Sequence, residues 1–233
     1  MTKGITKSEG GFTILVDKPK DYSSARVVNL IKKKLNVKKA GHSGTLDPNA
    51  TGLMIVCTGK MTKELNTLLG AEKEYEGVFV LGESTKSFDS ETEVIQKKPV
   101  DNISDFAINE AAKKFTGEIE QIPPMYSAIK HKGKPLYKYA AKGFEIERSP
   151  RKVIIKEFDI TNVSLPEVSF RVLCSKGTYI RALANDFGES LGTGAYLKEL
   201  RRTKIGSYNI DDAIKLEEFL AYEKSNHVVN EQN

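Results

Sequence analysis

Residues 41–57 read Gly-His-Ser-Gly-Thr-Leu-Asp-Pro-Asn-Ala-Thr-Gly-Leu-Met-Ile-Val-Cys. The first twelve positions contain three glycines and a proline, a composition that predicts a turn-rich loop. The last five are apolar and include the β-branched Ile55 and Val56, which predicts a buried strand. The loop therefore leads directly into the core of a folded domain.

Asp47 is the polar residue of this loop that is the strongest candidate for a chemical role. Pro48 disfavours helical backbone at Asp47, so the carboxylate is held in a loop. An Asp before a Pro is also an ordinary turn or cap residue, and a structural role is equally open for His42 between its small neighbours. The sequence has no Ser-His-Asp order, no P-loop and no dinucleotide fingerprint. A lone carboxylate remains as the candidate catalyst.

The surrounding sequence predicts an α+β fold. Strands and helices alternate without a regular βαβ period, which favours a central mixed, largely antiparallel sheet flanked by helices. One helix carries Ile180, Leu183, Ala184 and Phe187 at helical spacing, with Tyr179 and Arg181 off that stripe. Strands are predicted at 12–16, 53–57, 75–81, 153–163 and 168–174, and helices are predicted from Ser24 as cap, over 60–69, from Ser104 to Gly117 and from Thr178 to Gly188. The acidic stretch 83–93 is predicted to be a loop.

Length and composition exclude several classes of protein. The chain has 233 residues and 39% hydrophobic content, enough for a real core. Its longest apolar run, 53–57, is far shorter than the roughly 20 residues of a membrane-spanning helix, and the N-terminus has no signal-peptide pattern. Its three histidines lack zinc-ligand spacing. We expect a cytoplasmic, monomeric protein without a metal.

Charge is unevenly distributed along the chain. The net charge of +5 combines ten Lys or Arg against three acids in 1–42, nine against two in 130–156, and twelve acids against six lysines in 71–120. The segment 126–139 interleaves three tyrosines with four lysines, as in a protruding loop. Such a segment suits unpaired nucleotides, because cations hold phosphates and rings stack on bases. A solvated lysine-rich surface is the alternative.

Several ordered motifs resemble one family over about residues 12–208, the tRNA pseudouridine synthase B (TruB) family. The motifs are 16–19 (Val-Asp-Lys-Pro), 44–48 (Gly-Thr-Leu-Asp-Pro) with 50–52 (Ala-Thr-Gly), 59–63 (Gly-Lys-Met-Thr-Lys), 73–75 (Lys-Glu-Tyr), 123–130 (Pro-Pro-Met-Tyr-Ser-Ala-Ile-Lys), 174–181 (Cys-Ser-Lys-Gly-Thr-Tyr-Ile-Arg) and 200–203 (Leu-Arg-Arg-Thr). Their order and spacing make coincidence very improbable.

The resemblance implies a pseudouridine synthase fold and an isomerase that converts the T-loop uridine of tRNA, uridine 55, to pseudouridine without a cofactor. The glycosidic bond from N1 breaks, the uracil turns, and C5 bonds to the same sugar carbon. A carboxylate can add to the sugar C1′ or to uracil C6, or take a proton from C2′. The sequence does not choose among these routes.

The resemblance also implies roles for individual residues. Asp47 is the catalytic carboxylate, and Arg181 is expected to pair with it and keep it ionised. Tyr75 would stack on the target uracil, and Tyr179 would lie near the base and help to remove the C5 proton. Leu200 would line the base pocket. Local sequence alone suggests a core tyrosine at 75, a surface arginine at 181 and a helix-end leucine at 200.

Binding of the RNA is assigned to two further regions by the same resemblance. A uridine in a folded loop must be flipped out of its stack, and His42 is expected to fill the space that it leaves. The basic block falls in a mobile arm, an insertion at about 124–153, in which Lys130, Lys132 and Lys134 are the expected contacts to the T-arm of tRNA. We expect one catalytic domain over 1–225, a polar tail over 226–233, and no C-terminal PUA-like RNA-binding domain.

Two positions depart from the family pattern. Asp21 stands where the family usually has glycine, and Ala141 replaces an arginine that is common in the arm. Both changes affect segments expected to contact RNA. The alternative function is a non-catalytic RNA binder or tRNA-folding chaperone that retains the fold, although such a protein would have no need for Asp47 facing a polyanion.

Overall fold

The computed structural model describes residues 3–221, which divide into two units. The first unit contains residues up to 69 and those from 207 onward, and the second contains 70–206. The predicted tail, 226–233, lies outside the described residues, and the single catalytic domain over 1–225 stays a prediction. Within the described part, no helix is both long enough and apolar enough to cross a bilayer.

The N-terminal part of the first unit is built around an antiparallel sheet. The elements are β1 (Ile5–Ser8), β2 (Gly11–Lys18), α1 (Ser24–Leu35), β3 (Ala40–His42), β4 (Thr51–Thr58), a 3-10 helix (Gly59–Glu64) and α2 (Leu65–Gly70). The sheet order is β1-β2-β4, and β3 also pairs with β4. The predicted helix over 60–69 is thus partly a 3-10 helix.

Helix α1 begins one residue earlier than its predicted cap implies. Ser23 is the N-cap and its side chain accepts a hydrogen bond from the Arg26 backbone N at 3.2 Å. Ser24, predicted as the cap, is instead the first helical residue and is buried. The helix buries Val27, Val28 and Ile31 in the core of this unit, with Leu30 and Leu35 packed against it.

The second unit contains a five-stranded antiparallel sheet. Its elements are β5 (Lys73–Leu81), β6 (Glu83–Thr85), β7 (Val94–Lys97), α3 (Asp105–Lys114), β8 (Gly117–Gln121), β9 (Lys130–His131), β10 (Lys134–Pro135), α4 (Leu136–Ala140), β11 (Arg151–Ser164), β12 (Glu167–Cys174), α5 (Ile180–Ser190) and β13 (Ala195–Ile205). The order is β13-β5-β12-β11-β8. The predicted loop over 83–93 contains β6, which pairs with β7.

The core of the second unit is aromatic. The ring of Phe79 stacks on that of Phe170 with centroids 4.1 Å apart, and Phe158 and Phe187 pack around them. The predicted stripe of α5 is buried at all four positions. The helix starts at Ile180 rather than Thr178 and continues to Ser190, because Gly188 packs within it against Ala195 instead of ending it.

The chain then returns to the first unit. Residues 207–221 form β14 (Tyr208–Asn209), a 3-10 turn (Ile210–Asp212), β15 (Ile214–Lys215) and α6 (Leu216–Ala221). Strand β15 runs parallel to β2, and Leu216 and Phe219 join Ile14 and Val16 in one core. One parallel pair among antiparallel ones makes this sheet mixed, so the predicted mixed, largely antiparallel character is confirmed.

Candidate active site

The loop that carries Asp47, residues 43–50, is tied to β2 by a buried lysine. Lys18 ends β2 and its side chain is fully buried. Its Nζ donates hydrogen bonds to the backbone carbonyl oxygens of Pro19, Tyr22 and Pro48 at 2.9, 2.7 and 3.1 Å. Because a buried ammonium requires such partners, Lys18 fixes the chain beside Asp47.

A buried serine holds the other side of this loop. The Oγ of Ser24 accepts from the backbone N of Leu46 and donates to its carbonyl oxygen, both at 2.9 Å. Leu46 is itself buried, and Asp47 follows it at half-buried exposure. The Ala50 backbone N donates to the Asp47 carbonyl oxygen at 3.1 Å, which closes the turn. The backbone that carries Asp47 is thus held on both sides.

Asp21 contacts this loop through its backbone N, which donates to the Pro48 carbonyl oxygen at 2.9 Å. Its φ is 65°, in the left-handed region that favours glycine. Asp is among the few other residues that tolerate this conformation. The departure from the family's glycine therefore has a local explanation.

His42 lies at the end of β3, on the approach to the same loop. The Gly44 backbone N donates to His42 Nδ1 at 3.3 Å, so the neutral ring carries its proton on Nε2. The next residue, Ser43, is buried and bonded to Ile55 in both directions, with its backbone N donating at 3.0 Å and its Oγ accepting at 3.2 Å. Strand β4 thus holds the turn that presents His42.

Arg181 is buried in the second unit, contrary to the surface position that its place off the apolar stripe suggests. Its side chain is 7% exposed. The Nη1 donates to the Ser87 carbonyl oxygen at 3.2 Å, the Nη2 to that of Tyr126 at 2.7 Å, and the Nε lies 3.4 Å from Asp89 Oδ2. These contacts fix the plane of the guanidinium.

Asp89 is a residue of this cluster that the sequence analysis missed. Its side chain is 9% exposed, and its Oδ1 accepts hydrogen bonds from Ser87 Oγ and, at 2.9 Å, from the Glu91 backbone N. Phe88, which lies between Ser87 and Asp89, has a φ of 62°, an uncommon value for a bulky residue. A carboxylate beside a buried guanidinium offsets much of the cost of burying that charge.

Tyr179 is the N-cap of α5 and is positioned by a buried glutamine. Its backbone N donates to Gln121 Oε1 at 3.0 Å, and Gln121 Nε2 donates back to its carbonyl oxygen at 3.3 Å. Gln121 ends β8 and is 2% exposed. The sequence analysis missed Gln121, whose two bonds fix the start of the helix two residues before Arg181.

Tyr75 and Leu200 occupy one face of neighbouring strands. Tyr75 on β5 pairs with Arg202 on β13, and Leu200 pairs with Gly77, two residues along β5. Directly opposite residues lie on the same face of a sheet, and Tyr75 and Gly77, two residues apart on β5, also share a face. Leu200 therefore lies on the face of Tyr75, and Gly77 has no side chain to separate them. Tyr75 is 9% exposed, as a core tyrosine would be. Leu200 lies inside a strand, so the helix-end alternative is wrong.

Lys73 is an unusual charged group at the start of β5. It is 6% exposed, and its Nζ donates to the Ala71 carbonyl oxygen at 2.7 Å. Burial, reinforced by Arg202, lowers the pKa of Lys73 from 10.5 to about 8. Burial likewise raises the pKa of the adjacent Cys174 thiol to about 11. A thiol with a raised pKa and a lysine with a lowered pKa thus share this end of the strand.

The arm is a hairpin followed by a short helix rather than an irregular loop. Strands β9 and β10 are joined by Lys132 and Gly133, which both have positive φ as a two-residue type I′ hairpin turn requires. Lys130, Lys132 and Lys134 are exposed. The three lysines that are expected to contact RNA thus lie on one small hairpin.

The predicted site residues fall into two groups. His42 and Asp47 belong to the first unit, whereas Tyr75, Tyr179, Arg181, Leu200 and the arm lysines belong to the second. Within the second unit, the sheet brings Tyr75 and Leu200 together, and α5 carries both Tyr179 and Arg181. The pairing of Arg181 with Asp47 stays a prediction.

Comparison with known families assigns both parts of the chain. Residues 32–180 match the family model described as "TruB family pseudouridylate synthase (N terminal domain)". Residues 181–232 match "tRNA pseudouridylate synthase B C-terminal domain". The chain belongs to the TruB family. The predicted membership is confirmed, and the expected lack of a further RNA-binding domain stays an expectation.

Curated relatives of this TruB family chain extend over nearly its whole length. It is 50% identical over 213 residues to tRNA pseudouridine synthase B of Flavobacterium johnsoniae, covering 88% of this chain and 93% of the relative. It is 44% identical over 230 residues to the protein of the same name from Phocaeicola vulgatus, covering 95% and 98%.

Solved structures support the pseudouridine synthase fold. A chain in a Cbf5-Nop10-Gar1 complex matches with a TM-score of 0.72 at 34% identity, over 91% of this chain. A chain of an H/ACA RNP bound to a substrate RNA containing 2′-deoxyuridine matches with a TM-score of 0.69 at 31% identity, over 92%. The TruB family chain spans about half the length of these two, 54% and 53%. The predicted fold is confirmed.

Proposed function

We propose that this chain isomerises the T-loop uridine of tRNA, uridine 55, to pseudouridine, with Asp47 as the catalytic carboxylate. The observation that carries the proposal is the frame around Asp47. A buried lysine and a buried serine bond to the backbone on both sides of it, and these bonds fix the turn that carries the carboxylate. Family membership supports the reaction type.

The chemistry requires little beyond a positioned carboxylate and a held base. The N1–C1′ bond breaks and the C5–C1′ bond forms, while C5 loses one proton and N1 gains one, so no cofactor or co-reactant is consumed. In the proposal Arg181 keeps Asp47 ionised, Tyr75 stacks on the uracil, and Tyr179 helps to remove the C5 proton. Preorganised groups of this kind lower the barrier without reorganising during the reaction.

Recognition of the RNA is assigned to His42, Leu200 and the arm. His42 occupies the space of the flipped uridine, Leu200 contacts the base, and Lys130, Lys132 and Lys134 contact T-arm phosphates. The exposed hairpin positions of the three lysines support this assignment. The RNA-bound state of one matching structure supports an RNA partner for the fold.

Release of tritium from tRNA labelled at uridine C5 tests the proposal. We expect release with the native protein and a loss of at least about 1000-fold with Asp47→Asn, since removal of a catalytic group costs several kcal/mol. Binding of tRNA should persist. Asp21→Asn is the matched control, because its backbone bond to the same loop is retained and Asn tolerates a left-handed φ.

The same experiment separates the enzyme from a binder. Tritium release that survives Asp47→Asn would remove Asp47 from the mechanism. Binding of tRNA without any release by the native protein would favour the tRNA-folding chaperone. Release at a uridine other than 55, mapped by mass spectrometry of the product, would refute the site assignment alone.

A further inference from the structure

We propose that Phe144 is a stacking platform for an unpaired nucleotide of the bound RNA, distinct from the target uridine. Phe144 lies in the arm and none of the expected base contacts includes it. The inference rests on the proposed function, because it takes RNA as the ligand of the arm. It adds a residue and a second nucleotide to that interaction.

The first observation is the exposure of this ring. Phe144 is 61% exposed, in a segment where both neighbours, Gly143 and Glu145, are also exposed. An apolar residue at this position after a helix commonly packs back on the last turn. Here the ring remains open to solvent, where a large aromatic side chain gains nothing in the free protein.

The second observation is the rigidity of the backbone beneath the ring. Helix α4 ends in a Schellman motif, in which the Phe144 N donates to the Tyr139 carbonyl oxygen at 3.1 Å and the Gly143 N to that of Ala140 at 2.9 Å. Gly143 has the required left-handed φ of 77°. Two residues on, the Ile146 N donates to Met125 Sδ at 3.4 Å. The ring is therefore exposed on a backbone that hydrogen bonds hold on both sides.

The third observation is that Phe144 lines two clefts of the second unit. One cleft, of about 460 Å³, is lined by Lys134, Lys138 and Lys142 together with Tyr139, Phe144 and Ile146. Three cations next to two rings form a chemical match to a nucleotide, because the lysines suit phosphates and the rings suit a base. The positive charge favours RNA over an apolar protein segment.

The other cleft, of about 600 Å³, also combines cations with rings. Its lining includes Lys86 and Arg148 with the rings of Phe88 and Tyr126, and it also contains the acidic Glu145. Arg148 Nη1 donates to the Ile146 carbonyl oxygen at 3.1 Å and lies 3.5 Å from Glu145 Oε1, so the charge of Arg148 is already partly paired. The positive charge that this cleft offers to a nucleotide phosphate therefore comes mainly from Lys86, which is exposed.

A fluorescence experiment tests the proposal. The probe is a T-arm hairpin RNA carrying 2-aminopurine at one loop position at a time, bound to Asp47→Asn protein so that no turnover occurs. We expect quenching at one position other than the target. Adding Phe144→Ala should abolish that quenching and weaken hairpin binding roughly tenfold, the usual scale for one stacked base.

Two further variants separate stacking from apolar contact. Phe144→Trp should retain quenching and affinity, whereas Phe144→Leu should lose both, since leucine is apolar but has no ring. Phe106→Ala is the matched control, because Phe106 is 74% exposed on α3 and lines neither cleft. It should leave both signals unchanged. Melting temperatures close to the parent's would show that each variant folds.

Several outcomes would overturn the inference. Full hairpin affinity in Phe144→Ala would remove the residue from RNA binding, and full affinity in Phe144→Leu would exclude stacking. A change in self-association with unchanged RNA binding would make the surface an interface between copies. A parent that does not bind the hairpin would refute the inference as well. Failure of tritium release with binding intact would refute the proposed reaction and leave the Phe144 result standing.

Discussion

The Asp47 loop and the arm present their polar side chains in opposite ways. Behind Asp47, two fully or almost fully buried side chains, Lys18 and Ser24, bond to backbone groups of the loop. In the arm, Lys130, Lys132 and Lys134 are exposed on a two-residue turn. A buried side chain that positions the Asp47 loop also stabilises the unit, whereas an exposed lysine contributes mainly its charge. Substitutions behind Asp47 should therefore lower both activity and stability, whereas substitutions of the arm lysines should weaken RNA binding without lowering stability.

The largest effect on stability is expected at Asp89, the buried carboxylate beside the Arg181 guanidinium. Asp89→Asn would leave the Arg181 guanidinium without this carboxylate, and we expect the free energy of unfolding to fall by about 3 kcal/mol. We also expect kcat for tritium release to fall about 100-fold, as for a misplaced positioning group. Chemical denaturation and single-turnover kinetics measure the two losses.

Asp105→Asn provides the control for Asp89, because Asp105 is exposed at the start of α3. It should change neither quantity. Asp89→Glu should restore part of the activity, since the charge returns at a longer reach. An Asp89→Asn protein with native kcat would show that the Asp89 cluster is independent of catalysis.

Two adjacent serines test the Asp47 loop itself. Ser24→Ala leaves the buried N and carbonyl oxygen of Leu46 without a partner in the Ser24 side chain, which should cost about 2 kcal/mol of stability and lower kcat. Ser23→Ala removes only the N-cap of α1 and should cost about 1 kcal/mol with kcat unchanged. Equal kcat values in the two variants would contradict a positioning role for Ser24.

Substitutions in the arm should change the salt dependence of tRNA binding rather than the resistance of the protein to denaturant. Replacing Lys130, Lys132 and Lys134 together by alanine should weaken tRNA binding about tenfold at roughly 0.1 M salt. The slope of log Kd against log salt should fall by about 2 to 3, one unit per lost phosphate contact. Stability should stay within about 0.5 kcal/mol.

Lysines outside the arm provide the comparison. Alanine at Lys97, Lys113 and Lys114, which are also exposed in the second unit, should leave the slope unchanged. An unchanged slope in the arm variant would instead favour a solvated surface over phosphate contacts.

The smallest effect is expected at Lys73, a buried charge without a proposed role. Its pKa is lowered to about 8 in the folded protein from 10.5. Between these values the unfolded chain binds more protons than the folded one, so this residue's contribution to stability rises with pH from about 8 to 10.5. Lys73→Met should remove that rise and stabilise the protein at pH 7 by about 1 kcal/mol.

Denaturation at pH 7 and pH 10 measures the effect of Lys73. The stability advantage of the variant at pH 7 should be lost or reversed at pH 10, because only the native protein gains stability as the pH rises between the two pKa values. A difference that does not change with pH would contradict a lowered pKa of Lys73 in the folded protein. Binding of tRNA should be the same in both proteins, which would show that burial of a charge does not by itself mark the interaction surface.

Sequence predicts best what lies close together along the chain. The Asp47 loop is a run of twelve residues whose glycines and proline identify it, and the stripe of α5 identifies its buried face. The Arg181–Asp89 pair joins residues far apart in sequence, and helical spacing places Arg181 on the polar side. Its buried charge is stabilised by hydrogen bonds to the backbone carbonyl oxygens of Ser87 and Tyr126. Both residues are distant in sequence, so the spacing of residues along the helix cannot predict these contacts.

The ends of helices and strands also depend on residues that are distant in sequence. The cap of α1 is Ser23 rather than Ser24, because the side chain of Ser24 bonds to the backbone of Leu46, 22 positions along the chain. Strand β13 was not predicted at all, since its pairing with β5 rather than its own residues determines it. Leu200 could be assigned to the base pocket only through the family resemblance.

The return of residues 207–221 to the first unit has a consequence for synthesis on the ribosome. The core that supports the Asp47 loop includes Leu216 and Phe219 from the last described helix. At about 5–20 residues per second, the 150 residues from Gly70 to Phe219 take roughly 8–30 s to translate. The unit whose first strands are translated earliest is thus the last to finish folding, because the arm and the rest of the second unit are translated before Leu216 and Phe219 can complete the core behind Asp47.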